Sequence, residues 1–237
     1  MQEEPSNAMN PEILGLLAAI GIVKGKPFSP DAHMRALLTE AAAVGNATAR
    51  TMLFKSRLKE GFFYPDSAWF NPFIGGSYLF LQDGARLLDA WTTFFFFGWG
   101  ITPAMVVKMV GVGSQSAMAF VDSEGKPFDG SKTYKVHLPP GIPVKDFWDF
   151  VVYDNQTRSI LQTDQQFPNV GSQTKNIVVN PDSSVDIWFA PNAPAGHETN
   201  WLQTIPGKGW CTVLRLYGPL QSWFDKTWRP GEIELVK

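Results

Sequence analysis

The chain has 237 residues, of which 44% are hydrophobic and only 18% charged, a length at which folding buries roughly 70–75% of the unfolded surface in one large core or two smaller ones. Its 20 basic and 22 acidic residues leave a formal charge of −2, which excludes the basic footprint that nucleic-acid binding requires. The single cysteine, Cys211, excludes an internal disulfide framework and a cysteine-based zinc site.

Nine Trp and 18 Phe need either a large core or a contact surface. Residues 1–12, MQEEPSNAMNPE, are acidic and lack the basic and apolar regions of a signal peptide, so they are predicted to be a disordered tail. Residues 13–110 are predicted to be a region of helices and aromatic loops. The apolar run ILGLLAAIGIV at 13–23 is too short to span a bilayer and predicts a packed helix. Ser29 as cap and Pro30 at the first helical position open a second helix. Met34, Leu37, Leu38 and Ala41 carry it at helical spacing to about Leu58.

Residues 61–80 combine aromatics with Pro and Gly, which predicts loop and one short strand. Gln82 to Phe97 reads as a helix with Asp83 and Arg86 in its opening turns. No charge occurs from Ala90 to Val107. Gly98, Gly100 and Pro103 interrupt that run, so a buried helix and turn or an oligomer surface is predicted in place of a membrane span.

From Gly111 the period changes to two. Strands are predicted at Met118–Val121, Tyr134–Leu138, Phe147–Tyr153, Val178–Asn180, Val185–Phe189, Thr212–Tyr217 and Ile233–Val236, with turns at Asp122–Gly125, Asp129-Gly130 and Pro181–Ser183. The fold class that follows is α+β, mainly β in the C-terminal half: an antiparallel jelly-roll-like β-sandwich over 111–237, preceded by helices.

His33, His137 and His197 are far apart in sequence, and no P-loop, nucleotide fingerprint or nucleophile elbow is present. No metal site and no cofactor are expected. The candidate binding residues are Trp148, Asp149, Tyr153, Asp154, Arg158, Glu198, Asn200, Trp201, Arg215 and Tyr217. Arg215 shares a strand face with Val213 and Tyr217, where a charge needs a partner. Asp149, Asp154 and Glu198 are the candidates for that role. An ion pair or an Arg–carboxylate clamp in a cleft are the two readings. Trp201 and Trp210 either pack loops on the core or stack on a sugar or aryl ligand.

The runs YKVHLPPGIPVKDFWDFVVYDNQTR, NPDSSVDIWFAPNAPAGHETNWLQTIPGKGWCTVLRLYGPL and WFDKTWRPGEIELV resemble the bacterial domain of unknown function 1214 over about residues 110–237. Residues 11–60 look like the segment that joins it to an upstream partner, the domain of unknown function 1254. The resemblance implies a jelly-roll-like sandwich after helices, in bacterial proteins of which many are exported. It also implies that this chain is a C-terminal portion, a truncated product or a short variant, in which a site shared with the partner domain is incomplete. It supplies no catalytic residues.

Three functions compete. One is a module binding a small polar or aryl compound, with Trp148, Asn200, Trp201 and Arg215 lining a cleft, or serving in a homo-oligomer or a contact with the upstream domain. Another is a hydrolase-like enzyme with Glu198 or Asp154 as base and Arg215 stabilising negative charge. The third, membrane attachment through residues 90–107, needs Phe94 to Phe97 exposed.

Overall fold

The computed structural model of the chain describes residues 3–98 and 100–237, without the side chain of Ser6. Met1 and Gln2 of the expected tail, and Trp99 of the uncharged run, lie outside the described residues. Contacts divide the chain into two compact units between Thr48 and Ala49.

In the first unit a 3-10 turn at Ser6–Ala8 precedes helix α1, Pro11–Ala19. The Asn10 side chain caps it by accepting from the N–H groups of Glu12 (2.9 Å) and Ile13 (3.2 Å), and Pro11 takes the position whose N–H has no helical partner. Helix α2, Ala32–Phe54, begins in this unit and has its last residues in the second. Its cap is Asp31, whose Oδ1 accepts from Met34 N–H at 2.7 Å, so the helix starts after the expected Ser29-Pro30. An aspartate caps as well as a serine and stands directly before the first helical residue.

In the second unit, residues 61–80 form no strand. They make only isolated bridges, Phe62 to Phe70 and Phe70 to Met118, between 3-10 turns at Lys59–Gly61 and Ile74–Gly76. The helix expected from Gln82 is also corrected. Strands β1 (Leu81–Gln82) and β2 (Ala85–Arg86) form a hairpin around Asp83 (φ +50°) and Gly84 (φ +79°), the Asp-Gly pair that two-residue hairpin turns favour. Helix α3 then covers Leu88–Phe97, and α4 Pro103–Val106. Among the described residues no helix is long and apolar enough to cross a membrane.

Eight further strands follow: β3 (Ser114–Ala119), β4 (Tyr134–Leu138), β5 (Val144–Asp154), β6 (Asn169–Gly171), β7 (Val185–Ala190), β8 (Trp201–Gln203), β9 (Trp210–Pro219) and β10 (Ile233–Leu235), with the short helix α5 (Gln221–Phe224) before the last. They form two four-stranded sheets, ordered β10-β4-β7-β8 and β3-β9-β5-β6. All pairs are antiparallel except β7 with β8. The strand expected at Val178–Asn180 does not form.

Alternation decides what each strand buries. Trp148, Phe150 and Val152 of β5 and Leu214 and Leu216 of β9 meet Tyr134, Val136 and Leu138 of β4 and Val185, Ile187 and Phe189 of β7 in one apolar cluster between the two sheets. On the opposite face of the β3-β9-β5-β6 sheet, one end is covered as well. There Met118, Phe120, Cys211 and Val213 pack with Leu53, Phe70, Ala90 and Phe94. Phe94 to Phe97 are therefore divided: Phe94 is buried, Phe96 and Phe97 are half-buried and Phe95 is exposed.

Candidate functional site

Beyond the end that α3 covers, the outer face of this sheet turns polar. The alternation that points Trp148 and Phe150 inward points Phe147, Asp149 and Tyr153 outward, and in β9 it does the same for Arg215 and Tyr217. Antiparallel pairing places Asp149 opposite Arg215 and Phe147 opposite Tyr217. The Phe147 and Tyr217 rings stack at 4.1 Å. Arg215 donates from its guanidinium to the Tyr153 hydroxyl, and Tyr153 is backed by Phe97 at 6.0 Å.

This face holds two charges with incomplete partners. Burial works against the charge of Arg215, but Tyr153, Tyr217 and Asp149 more than offset it and hold the guanidinium's pKa above its ordinary value. Among the described residues no carboxylate closes to ion-pair distance of Arg215. Burial pushes the Asp149 carboxyl above the usual range, against the opposing pull of Arg215 and Asn169. Its Oδ1 is buried and has no hydrogen-bond partner. Asp149 borders a cleft of about 250 Å³ lined also by Phe147, Trp148, Asn169, Gly171, Gln173 and Thr174. Gly171 is required there because β6 crosses so close that a Cβ would lie 2.0 Å from the Trp148 carbonyl oxygen.

A raised carboxyl has a measurable consequence. Folded Asp149 retains its proton to higher pH than the unfolded chain, whose aspartates titrate near about 3.9. Its contribution to stability therefore falls as pH rises from that value through the folded pKa. Asp149→Asn is expected to stabilise the protein at neutral pH by on the order of 1 kcal/mol, with the gain fading below about pH 4. Urea unfolding of both forms across pH checks this, and a pH-independent difference would count against a penalised carboxylate.

The other expected site residues lie elsewhere. Trp148 points its ring into the core, 4% exposed, because it alternates with Asp149, and only borders the Asp149 cleft. Asp154 is buried and held by Lys208 at 2.7 Å, five ladder positions from Asp149, opposite Trp210. Burial raises its carboxyl, but Lys208 and the N–H groups of Gln156 and Thr157 outweigh that and keep it below the usual range. Glu198 is exposed. Its own N–H and that of Gly196 hold its carboxyl low, so neither acid has the environment of a general base. Arg158 lies over the Phe96 ring at 4.4 Å and donates to the Gln156 carbonyl at 2.6 Å. Trp201 donates its indole N–H to the Ala190 carbonyl at 2.9 Å.

Asn200 is a backbone clip. Its amide accepts from Val178 N–H (2.9 Å) and donates to the carbonyls of Val178 (2.8 Å) and Asp186 (2.9 Å), replacing the strand pairing that Val178 lacks. The cleft of Trp148, Asn200, Trp201 and Arg215 is thus corrected. Asp149, Tyr153, Arg215 and Tyr217 share one sheet face, Trp148 borders the Asp149 cleft from the strand beside it, and Asp154, Arg158, Glu198, Asn200 and Trp201 make their contacts elsewhere. Phe147 was legible as a site residue, since it sits two positions from Asp149 on the same strand face. Asn169 and Gly171 carry no such signal, because the pairing that brings them there is non-local. Among the described residues no group of three His, Cys, Asp or Glu side chains gathers as a metal site, and burial raises the Cys211 thiol pKa.

No curated protein matches the chain. Two solved structures align over nearly all of it. A protein from Vibrio parahaemolyticus is 19% identical with a TM-score of 0.48, over 96% of this chain and 51% of its own. An uncharacterised protein from Burkholderia cenocepacia is 18% identical with a TM-score of 0.41, over 95% of this chain and 48% of its own. The chain thus spans about half the length of each. Residues 113–221, which include β3 to β9 and the whole polar face of Asp149, Tyr153, Arg215 and Tyr217, match the family described as "Protein of unknown function (DUF1214)", and over that stretch the chain resembles this family.

Proposed function

We propose that the protein is a small-molecule-binding module whose site is the outer face of the β3-β9-β5-β6 sheet. Its ligand is a small carboxylate that also carries a hydroxyl or amine. The observation that carries the reading is the buried, unpartnered Asp149 Oδ1 at the edge of a cleft. A buried polar atom without a partner is costly, and a donor brought by a ligand in the cleft that Asp149 borders would relieve that cost. Arg215, whose close contacts are phenols, supplies the matching cation. The cleft's size suits a compound of few heavy atoms.

The same proposal includes a jelly-roll-like winding of the sandwich. The strand orders β10-β4-β7-β8 and β3-β9-β5-β6 support a jelly roll that lacks its first strand beside β10 and gains β8 as a parallel edge.

Calorimetric titration with glycolate, lactate and glycine tests the binding reading, with propionate as the analogue lacking the second group. Arg215→Met is expected to weaken binding about 10- to 150-fold, the worth of a hydrogen bond to a charged group. Equal binding by Arg215→Met, or no binding by any of the three, would sink it.

A hydrolase is the second reading, favoured by the raised Asp149 carboxyl, which would then serve as general base. It expects ester turnover that Asp149→Asn abolishes and Glu198→Gln does not. A subunit contact is favoured separately by exposed Met105, Val107, Met109, Val110 and Val112. Sedimentation analysis of the chain reads it directly.

A further inference from the structure

A second cleft, of about 590 Å³, is lined by Lys59, Phe62, Phe63, Pro65, Ser67 and Lys226. Its volume is within the range of small-molecule sites, about 300–1,000 Å³. The two rings in its wall are held from behind. Phe62 meets Phe70 edge-on at 5.3 Å, and Phe63 packs on Trp223 at 4.9 Å. Both phenylalanines are only half-buried, so each has surface left for a ligand.

The carboxylates of Asp66, Asp225 and Glu232 are already engaged. Arg229 binds Asp66 (2.8 Å) and Glu232 (3.1 Å). Glu232 also accepts from Ser67 Oγ (2.6 Å) and Ala68 N–H (2.9 Å). Asp225 accepts from the Thr227 hydroxyl at 2.7 Å. Among the described residues neither Lys59 nor Lys226 has an ion pair, and the adjacent Glu60 makes none with Lys59. The cleft therefore joins aromatic walls to two ammonium groups that are in no ion pair.

Lys226 is also held at a conformational cost. It follows α5 with φ +61°, the left-handed helix-end position at which glycine is the default. Its ammonium lies 5.9 Å from the centre of the Tyr64 ring, which Arg229 also contacts at 4.6 Å.

We propose that this cleft binds a flat aromatic anion, its ring against Phe62 and Phe63 and its charged group between Lys59 and Lys226. The site is separate from the Asp149–Arg215 face. It takes a larger, apolar ring that the 250 Å³ polar cleft does not admit.

The test is calorimetric titration of the full chain with naphthalene-2-sulfonate, and with 2-naphthol as the neutral analogue. Lys226→Gly and Lys59→Gln are each expected to weaken sulfonate binding at least about 10-fold, the scale of one charge-assisted contact. Glycine suits the positive φ, so Lys226→Gly is expected to keep or raise the Tm, which separates lost binding from lost folding. Arg215→Met is expected to leave this probe's affinity unchanged. Sulfonate binding that survives both lysine changes, binding no tighter than that of 2-naphthol, or no binding at about 1 mM would each overturn the proposal. Loss of sulfonate binding in Arg215→Met alone would also overturn it, while favouring the first site.

Discussion

Trp210→Ala is expected to destabilise the protein by about 3–5 kcal/mol, enough to remove a large share of the stability of an ordinary domain. Trp210 is 1% exposed and joins the two sheets through its ring. Phe128 stacks on it at 4.1 Å, Phe189 of β7 at 4.9 Å, and Tyr134 of β4 meets it edge-on at 5.5 Å. Alanine would leave a void between three rings that are pinned by their own strands and turns and so cannot collapse into it. Trp210→Phe separates packing from polarity. The indole Nε1 is buried without a partner, so phenylalanine loses ring volume but also removes an orphan donor, and its cost is expected to be less than half as large. Guanidinium unfolding with an unchanged m-value is the measurement. A cost below about 1 kcal/mol for alanine would mean that the site collapses freely, contrary to the packing described.

Asn200→Ala is expected to cost about 3 kcal/mol, because an unsatisfied buried group costs about 1–3 kcal/mol and this change strands several. Asn200 is 3% exposed, and the Val178 N–H and the Val178 and Asp186 carbonyls all depend on its amide. Asn200→Asp is the informative control. It keeps the acceptor for Val178 N–H but sets a carboxylate oxygen against two carbonyls, so it is expected to be at least as damaging at neutral pH. Unfolding of both variants tests this, and hydrogen exchange at Val178 reads the loss locally. A stable Asn200→Ala variant with Val178 still protected would show that the clip is dispensable.

The candidate site was half legible in the sequence. The alternation of β5 and β9 puts Asp149, Tyr153, Arg215 and Tyr217 on faces opposite Trp148 and Leu216, and it needs no structure to be seen. Register is a different matter. Of the acids considered as partners for Arg215, only Asp149 stands opposite it, because the β5–β9 ladder is offset so that Asp154 meets Trp210. That offset depends on side chains far apart in the chain. The same limit explains Asn200 and Trp201. Their neighbours in sequence suggested a ligand loop, but their hydrogen bonds go to Val178, Asp186 and Ala190, residues that only the folded sheet brings near.

Some misplacements were local and have local causes. Residues 81–86 form a hairpin where the pattern of Gln82 to Phe97 predicts a helix, because Asp83-Gly84 is a strong turn pair. The start of α2 moved to Asp31 because a carboxylate directly before the first turn is a sufficient cap.

By itself the sequence determined the change from helices to strands near Gly111, the faces of β4, β5, β7 and β9, and the turns between many of them. Those are properties of periods and of Gly, Asp and Pro, which act within a few residues. Only the tertiary structure decided that Asp149 and Arg215 share one face, that Trp148 is core and that Asn200 is a clip. These rest on strand order, register and burial, which are set by packing between segments far apart along the chain.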